Sequence, residues 1–312
     1  DNVKDLIVKA GEVREKLALA TNRIGNVHIG GPMSATDVAV ALYYKYMGFD
    51  PENLDDPERD IFIMSKGHNG ILQFVIFCDM GLYDWDVLLD TYNRIGGHFG
   101  AHPNHKRVKG IEVSTGSLGH GINWACGMGH ANRNKGIKSR IWVMLGDGEM
   151  EEGSNWEGIL YAASHGLDNI VAVVDYNHAS AAYECNQNNR WGEKGGPEGL
   201  ADCYRAFGWN ATVIDGTKMA DIDKALSELP EVTLNGKPIY LNGTLDQAFN
   251  PKGHFTYPTD EDMYQEAWRL KRLGLNMVRI HIKPEEPRKL YWMDKLGVLV
   301  MADIPCFWGP PI

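Results

Sequence analysis

One stretch constrains the fold more than any other: residues 140–158, RIWVMLGDGEMEEGSNWEG. Its apolar run, 141–145, reads as a buried strand that stops at Gly-Asp-Gly and leads into a helix over 154–164. A second apolar run, 170–174, follows at once and ends in Asp-Tyr-Asn. Two apolar strands joined by a helix predict a right-handed crossover in a parallel sheet with helices on both faces.

The segments around this unit extend the same pattern. Together they predict an α/β fold, a doubly wound and mostly parallel sheet over residues 1–230, followed by an incomplete (β/α)-barrel fragment over 231–312. Residues 96–118 are rich in Gly and His and have little periodicity, which predicts a long loop of the kind that is usually either functional or disordered. The predicted helices are 3–19, 35–46, 120–134, 198–207, 219–229, 260–273 and 287–296, and the further strands are 211–214, 277–280 and 298–302.

The two polar strand ends predict a metal site. Ligands of parallel α/β sheets bind beyond the carboxyl ends of the strands. If the two strands are neighbours, about 4.8 Å apart, oxygens of Asp147 and Asn177 can reach one hard cation. Mg²⁺ takes about six oxygen ligands and is often completed by phosphates and water. Gly146 and Gly148 would let the backbone turn sharply and approach a phosphate closely.

A simpler interpretation stays open, because Gly-Asp-Gly is also an ordinary turn composition. Glu149 and Glu151 are assigned here to the start of a helix, where the helix dipole favours carboxylates whatever the function. A histidine is likewise often a packing or surface residue. His28, His68 and His102 lie beside glycine-rich breaks, and histidine side chains can move protons near neutral pH.

Composition narrows the class of protein. A net charge of −10 with no basic stripe argues against nucleic-acid binding. No apolar run reaches the roughly 20 residues needed to cross a bilayer, so no membrane partner is expected. The amphipathic, charged first residues differ from a secretory signal, and five scattered cysteines fit reduced thiols. These features predict a cytoplasmic protein.

Residues 1–229 resemble the N-terminal half of a transketolase. Gly-Asp-Gly followed by Asn at residue 177 matches the thiamine diphosphate signature of that family. Six blocks fall in the family's order: VHIGGPMS (27–34), SKGHNG (65–70), GGHFGAHP (96–103), STGSLGHG (114–121), GDGEMEEGSNWE (146–157) and VVDYN (173–177).

The resemblance implies thiamine diphosphate and Mg²⁺ (or Ca²⁺) as cofactors and assigns a role to each site residue. The implied metal ligands are Asp147, Asn177 and the Ala179 carbonyl. The implied diphosphate contacts are His68, Gly116 and Gly148, the implied contact to the cofactor rings is Leu118, and the implied sugar contacts are His28 and His102. Glu152 matches a glutamate that the family places at a dimer interface near the activating carboxylate. His98, His105 and His120 are left unassigned. After Asn177 the segment HASAAYECNQNN departs from the family pattern, which weakens expectations for that loop.

The last 80 or so residues resemble something else. LNGKPIYLNGTLDQ and the segments after it are similar to the start of the catalytic barrel of family 2 glycoside hydrolases, with Arg279 and His281 at its mouth. Both catalytic carboxylates of that family would lie beyond residue 312. Retaining hydrolysis then has neither acid nor nucleophile, so a chimera with a truncated, inactive barrel fragment is expected.

The resulting hypothesis is a transketolase N-terminal subunit-like chain. It would hold the cofactor for two-carbon ketol transfer between sugar phosphates in the pentose phosphate pathway, as a homo- or hetero-oligomer. It would need a separate transketolase C-terminal, pyrimidine-binding subunit, since no such domain is apparent in the sequence. Two alternatives stay open: half of another thiamine diphosphate enzyme (1-deoxyxylulose-5-phosphate synthase or a 2-oxoacid dehydrogenase component), or an inactive fusion or carbohydrate-binding product.

Overall fold

The computed structural model describes most of the chain. The described residues are 2–179, 191, 195–233, 243–246, 258–275, 277–280 and 287–302. They divide into two compact units, Asp1–Lys237 and Pro238–Ile312. The boundary predicted near residue 230 stays a prediction, and His281 and most of the segment after Asn177 lie outside the described residues.

The first unit is built on a parallel sheet. Its strands are β1 (Ile61–Met64), β2 (Ile141–Gly146) and β3 (Ile170–Asp175). Their order is β1-β2-β3, and both pairs are parallel, as the crossover pattern predicted. Its helices are α1 (Val3–Ile24), α2 (Gly30–Ala41), α3 (Gly70–Asp79), α4 (Trp85–Thr91), α5 (Gly121–Lys135), α6 (Gly153–Ser164), α7 (Gly196–Ala206) and α8 (Met219–Ser227).

Successive side chains of the central strand β2 point to opposite faces of the sheet. Trp142 and Met144 join a core cluster with α1, α2 and α3, whereas Val143 and Leu145 join a second cluster with α5, α6 and α7. All six residues of β2 are buried. The apolar run in the sequence therefore reflects a strand covered on both faces, and the α/β fold is confirmed for this unit.

Two local predictions differ from the structure. Residues 211–214 form no strand in the described chain, and the Ala211 carbonyl accepts a hydrogen bond from the Arg205 side chain at 2.9 Å. The helix expected to begin near Ser34 or Thr36 starts at Gly30. Thr36 is inside it, with its hydroxyl donating back to the Pro32 carbonyl at 2.8 Å.

The second unit repeats a simple β/α pattern. Its elements are β4 (Gly243–Asp246), α9 (Asp260–Arg272), β5 (Met277–Ile280), α10 (Pro287–Lys295) and β6 (Leu299–Ala302). The three strands are parallel and adjacent in chain order. A small core packs Val278 against Ala267, Met293 and Val298.

Candidate active site

The ends of β2 and β3 meet at one edge of the sheet. Gly146 lies opposite Asp175 in the register, and the Asp147 amide donates to the Asp175 carbonyl at 3.3 Å. Asp147 and Asn177 therefore both lie just past the ends of neighbouring strands, which is the condition that the metal-site prediction required.

Asp147 is almost fully buried, with 1% of its surface exposed. Its Oδ1 accepts the Gly148 amide at 3.0 Å, but Oδ2 has no hydrogen-bond partner. Burial raises the pKa of this carboxyl, and backbone hydrogen bonds from Gly148 and His178 oppose that rise. An unpartnered buried carboxylate oxygen is costly unless a cation binds it, so Asp147 fits a metal ligand.

Asn177 lies in a tight turn beside Asp147. Its Oδ1 accepts the Ala179 amide at 3.0 Å, and its Nδ2 donates to Asp175 Oδ2 at 3.2 Å. These two bonds fix the orientation of the Asn177 side-chain amide. Its oxygen accepts one hydrogen bond and has a second lone pair that can bind a metal. His178 between them has a φ of 60°, in the left-handed region that non-glycine residues rarely adopt.

The oxygen set fits a hard cation of the Mg²⁺ class. Within the residues that the structure describes, no group of three or more His, Cys, Asp or Glu side chains could hold a metal. The predicted set is of another kind, because it combines one carboxylate with an amide oxygen and a backbone carbonyl. Phosphate oxygens and water would complete such a shell.

An ion pair that the sequence did not predict lies at the end of β3, two residues before Asn177. Lys66 is 2% exposed, and its ammonium binds Asp175 Oδ2. Ser34 donates to Asp175 Oδ1 at 2.8 Å, and Asn177 donates to Asp175 Oδ2. Asp175 therefore fixes the position of Asn177. The sequence offered one signal for this pair, which is its position at a strand end. Ser65 and Lys66 follow β1 in the same way as Asp147 follows β2.

Three of the predicted site histidines come together from distant parts of the chain. The ring centroid of His28 is 5.7 Å from that of His68 and 6.3 Å from that of His102. His28 precedes α2, His68 follows β1, and His102 lies in the long loop between α4 and α5.

Burial and neighbouring positive charges lower the pKa values of His68 and His102. Burial lowers the pKa of His68 to about 4, with the charge of Lys66 and the two other histidines acting in the same direction. Burial also lowers the pKa of His102, helped by His28. His68 and His102 are therefore neutral near pH 7 and can both donate and accept hydrogen bonds.

Gly116 packs directly against this cluster. It has a φ of 145°, and a side chain there would start 3.1 Å from the His102 ring. Gly67 is as restricted, because an added Cβ would lie 2.6 Å from the Gly116 amide nitrogen. The backbone around Gly116 therefore lies beside the turn that contains His68. Gly67 and Gly116 approach their neighbours too closely for a residue with a Cβ. Leu118, two residues on, is half-buried.

Glu149 corrects the sequence analysis, which assigned it to a helix start. It is 3% exposed, in the short turn Glu149–Glu151 that precedes α6. Its carboxylate accepts from Ser65 Oγ, from the Gly119 amide at 2.9 Å and from the Gly146 amide at 3.2 Å. Burial raises its pKa, and the three donors oppose that rise.

Glu152 is exposed at the N-cap of α6, against Gly119. No second chain is present, so its expected place at a dimer interface stays a prediction. Among the unassigned histidines, His105 pairs its Nδ1 with Ser114 Oγ at 2.9 Å, and His98 packs on Phe99 and Tyr83. Neither joins the cluster of His28, His68 and His102.

Comparison with known proteins identifies the family of the domain. The family model for the transketolase thiamine diphosphate binding domain matches residues 9–242, three quarters of the chain. The chain belongs to the transketolase family. The prediction of a transketolase N-terminal subunit-like chain is thereby confirmed, together with the thiamine diphosphate-binding class of the domain.

Two subunit-sized relatives are similar over most of their own length. A 6-deoxy-6-sulfo-D-fructose transketolase subunit of Clostridium sp. (strain MSTE9) is 35% identical over 234 residues, covering 75% of this chain and 82% of the relative. One of the subunits of the apulose-4-phosphate transketolase of Actinobacillus succinogenes is 33% identical over 282 residues, covering 86% of this chain and 96% of the relative.

Solved transketolases share the fold but are much longer. The transketolase of Leishmania mexicana superposes with a TM-score of 0.65 at 25% identity over 74% of this chain. This chain spans 35% of that one. The family match ends at residue 242.

In the described part of the chain, no helix combines the length and apolar character needed to span a membrane.

Proposed function

We propose that this chain is the cofactor-anchoring subunit of a split transketolase, binding thiamine diphosphate through Mg²⁺ (or Ca²⁺). The observation that carries the proposal is the buried, unpartnered Oδ2 of Asp147 beside the Asn177 turn. Asp147, Asn177 and the Ala179 carbonyl would hold the metal, and Gly116, Gly148 and His68 would contact the diphosphate. Leu118 would pack against the cofactor rings.

When bound, the cofactor supplies the carbon nucleophile for two-carbon ketol transfer between sugar phosphates. This chain's own contribution is binding and orientation. His28 and the neutral His102 would hydrogen-bond sugar hydroxyls, with the neutral His68 beside them at the diphosphate, and a histidine that both donates and accepts can pass a proton between oxygens. His28 lies 5.7 Å and 6.3 Å from the other two, so the three rings can share one polar substrate.

The proposed partner is a separate pyrimidine-binding subunit, which would supply the carboxylate that activates the cofactor. Support comes from the two relatives, which are named as transketolase subunits and are nearly matched in length by this chain. Their names also point to phosphorylated or sulfonated sugars as the substrate class. Glu152 would face an oligomeric partner. A cytoplasmic location and a place in the pentose phosphate pathway stay predictions.

The C-terminal segment would then be a passive barrel fragment joined near residue 230. Three adjacent parallel strands with helices between them are what the start of a (β/α) barrel would give. Sequencing genomic DNA across codons 225–240 tests the junction. A genomic sequence that departs from this one within those codons would overturn the chimera.

Calorimetric titration tests cofactor binding directly. Thiamine diphosphate should bind the purified chain in the presence of Mg²⁺ and lose most of its affinity in EDTA. Asp147→Ala should abolish the Mg²⁺-dependent binding, whereas Asp55→Ala, at an exposed aspartate, should leave it unchanged. Equal binding by wild type and Asp147→Ala would show that the metal assignment is wrong.

Activity is a separate test. Mixing this chain with a transketolase C-terminal subunit, thiamine diphosphate, Mg²⁺ and xylulose 5-phosphate with an aldose phosphate acceptor should yield ketol transfer. Cofactor binding with no transfer to any acceptor would favour an inactive fusion product. The histidine cluster favours a transketolase over the other thiamine diphosphate enzymes, and pyruvate consumption in place of ketose consumption would reverse that preference.

A further inference from the structure

The carboxylate of Glu149 accepts hydrogen bonds from three separate segments of the chain. Oε1 accepts from the Ser65 hydroxyl at the end of β1 and from the Gly119 amide in the loop before α5. Oε2 accepts from the Gly146 amide at the end of β2. Since Ser65 and Gly146 end neighbouring strands, one side chain ties both strand ends to the loop that contains Gly119.

Each tied segment carries a residue of the proposed cofactor site. Ser65 leads into the turn that contains His68, Gly119 follows Gly116 and Leu118, and Gly146 precedes Asp147. The Glu149 side chain itself is buried, with 3% of its surface exposed, and so offers no surface to a ligand. Its effect on a ligand must therefore pass through the backbone segments that it holds.

The connection extends to α5. Ser65 Oγ donates to Glu149 and accepts the Gly121 amide at 3.1 Å, so the first residue of α5 is held as well. A side chain at residue 121 would start 2.2 Å from Ser65 Oγ, which makes the contact dependent on glycine. The Glu149 carbonyl in turn accepts the Asn155 side chain at 2.7 Å, which fixes the turn from the α6 side.

The chemistry requires an acceptor at this position. Four N–H and O–H groups in this network need two carboxylate oxygens and one hydroxyl oxygen, and an apolar side chain would leave buried amides unpaired. A buried network of this kind specifies one backbone arrangement when every member is satisfied.

We propose that Glu149 is a positioning residue for the cofactor site: it holds the His68 turn, the Gly116–Gly119 loop and the Asp147 strand end in their binding arrangement. The proposal rests on the proposed function, since the three segments matter together only if they bind one ligand. Glu149 does not contact that ligand. It prepares the site before binding.

Glu149→Ala and Glu149→Gln test the proposal, with Glu15→Ala and Glu15→Gln as matched controls at an exposed glutamate of α1. The alanine variant should weaken Mg²⁺–thiamine diphosphate binding by about 10–100-fold, as losses of outer-shell partners typically do. The glutamine variant keeps one acceptor oxygen and should rescue a substantial part of the affinity. Both control variants should bind as the wild type does.

Hydrogen exchange of the cofactor-free protein separates this proposal from the proposed function. In Glu149→Ala the peptides that contain Gly119 and Gly146 should lose protection, while peptides from α1 and α3 keep it. Should the wild type bind no cofactor, the proposed function fails and Glu149 loses its role with it, even if protection still depends on Glu149. Wild-type affinity in both Glu149 variants would overturn the positioning role while leaving the proposed function intact.

A general loss of folding is distinguished by the glutamine variant. If Glu149→Ala melts far below the wild type, Glu149→Gln decides the matter: weaker binding at a near-normal melting temperature supports positioning. Normal binding in that variant contradicts it.

Discussion

Replacing Lys66 by methionine removes the charge of a buried ion pair while keeping its apolar stem. The ammonium of Lys66 binds Asp175, and the side chains of these residues are 2% and 14% exposed. Without its partner, Asp175 would keep only the hydrogen bonds from Ser34 and Asn177. Removing one partner of a buried pair costs about 3–5 kcal/mol, because the other charge stays desolvated.

The expected loss can be measured by calorimetry of the full chain. At 2–4 °C per kcal/mol for a unit of this size, a loss of about 3 kcal/mol lowers the melting temperature by about 6–12 °C. Lys45→Met is the matched control, since Lys45 and Asp223 form an ion pair whose side chains are 28% and 19% exposed. That pair should be worth less than about 1 kcal/mol.

A double-mutant cycle gives the decisive result. Asp175→Asn in the Lys66→Met background should cost much less than in the wild type, with a coupling of about 1–3 kcal/mol that 0.5 M salt barely changes. The reasoning would be refuted if the losses of stability in the two single variants were additive, or if Lys66→Met lost no more stability than Lys45→Met. The buried pair would then not stabilise the segment that contains Asp175 and Asn177.

Three further outcomes follow from the same structure. The pKa of His68 is lowered from 6.5 to about 4, so between these two values His68 is protonated in the unfolded chain but not in the folded one. The free energy of unfolding should therefore rise with pH across this window, and His68→Gln should flatten the rise. A His68 pKa near 6.5 in an NMR titration of the folded protein would contradict this prediction. Gly119→Ala should destabilise the chain more than Gly136→Ala. Both glycines have a positive φ, but only at Gly119 would the added Cβ lie 2.5 Å from Ser154 Oγ. Equal melting temperatures of the two variants would contradict this contact. Phe74→Ala should cost about 3–5 kcal/mol by calorimetry, since Phe74 is fully buried, and a loss below about 1 kcal/mol would mean that the core closes over the cavity.

Much of the first unit could be predicted from local pattern. The limits of β2 and β3 came from apolar runs that end in polar residues, and the (β/α) alternation indicated parallel pairing. The strand expected at 211–214 is absent from the described chain, where the Ala211 carbonyl accepts a hydrogen bond from the Arg205 side chain. Apolar spacing carries no information on such a hydrogen bond.

The candidate site divides in the same way. The adjacency of Asp147 and Asn177 was predictable because Asp147 follows β2 directly, Asn177 lies two residues beyond β3, and parallel neighbours bring their ends together. Glu149 was assigned to a helix start, since three acidic residues before α6 look alike in sequence. Its role depends on donors 84, 30 and 3 residues away, and only folding shows which of these carboxylates is enclosed.

The sequence by itself determined the fold class and the family of the first unit, because periodicity and strand-end residues are local properties of the chain. It also predicted Asp147 and Asn177 as a pair of metal ligands. Tertiary structure alone decided that Lys66 neutralises Asp175, that three histidines share one cluster and that Glu149 ties three segments together. Each of these depends on which side chains lose water and on which distant backbone groups face them, and the order of residues does not specify either.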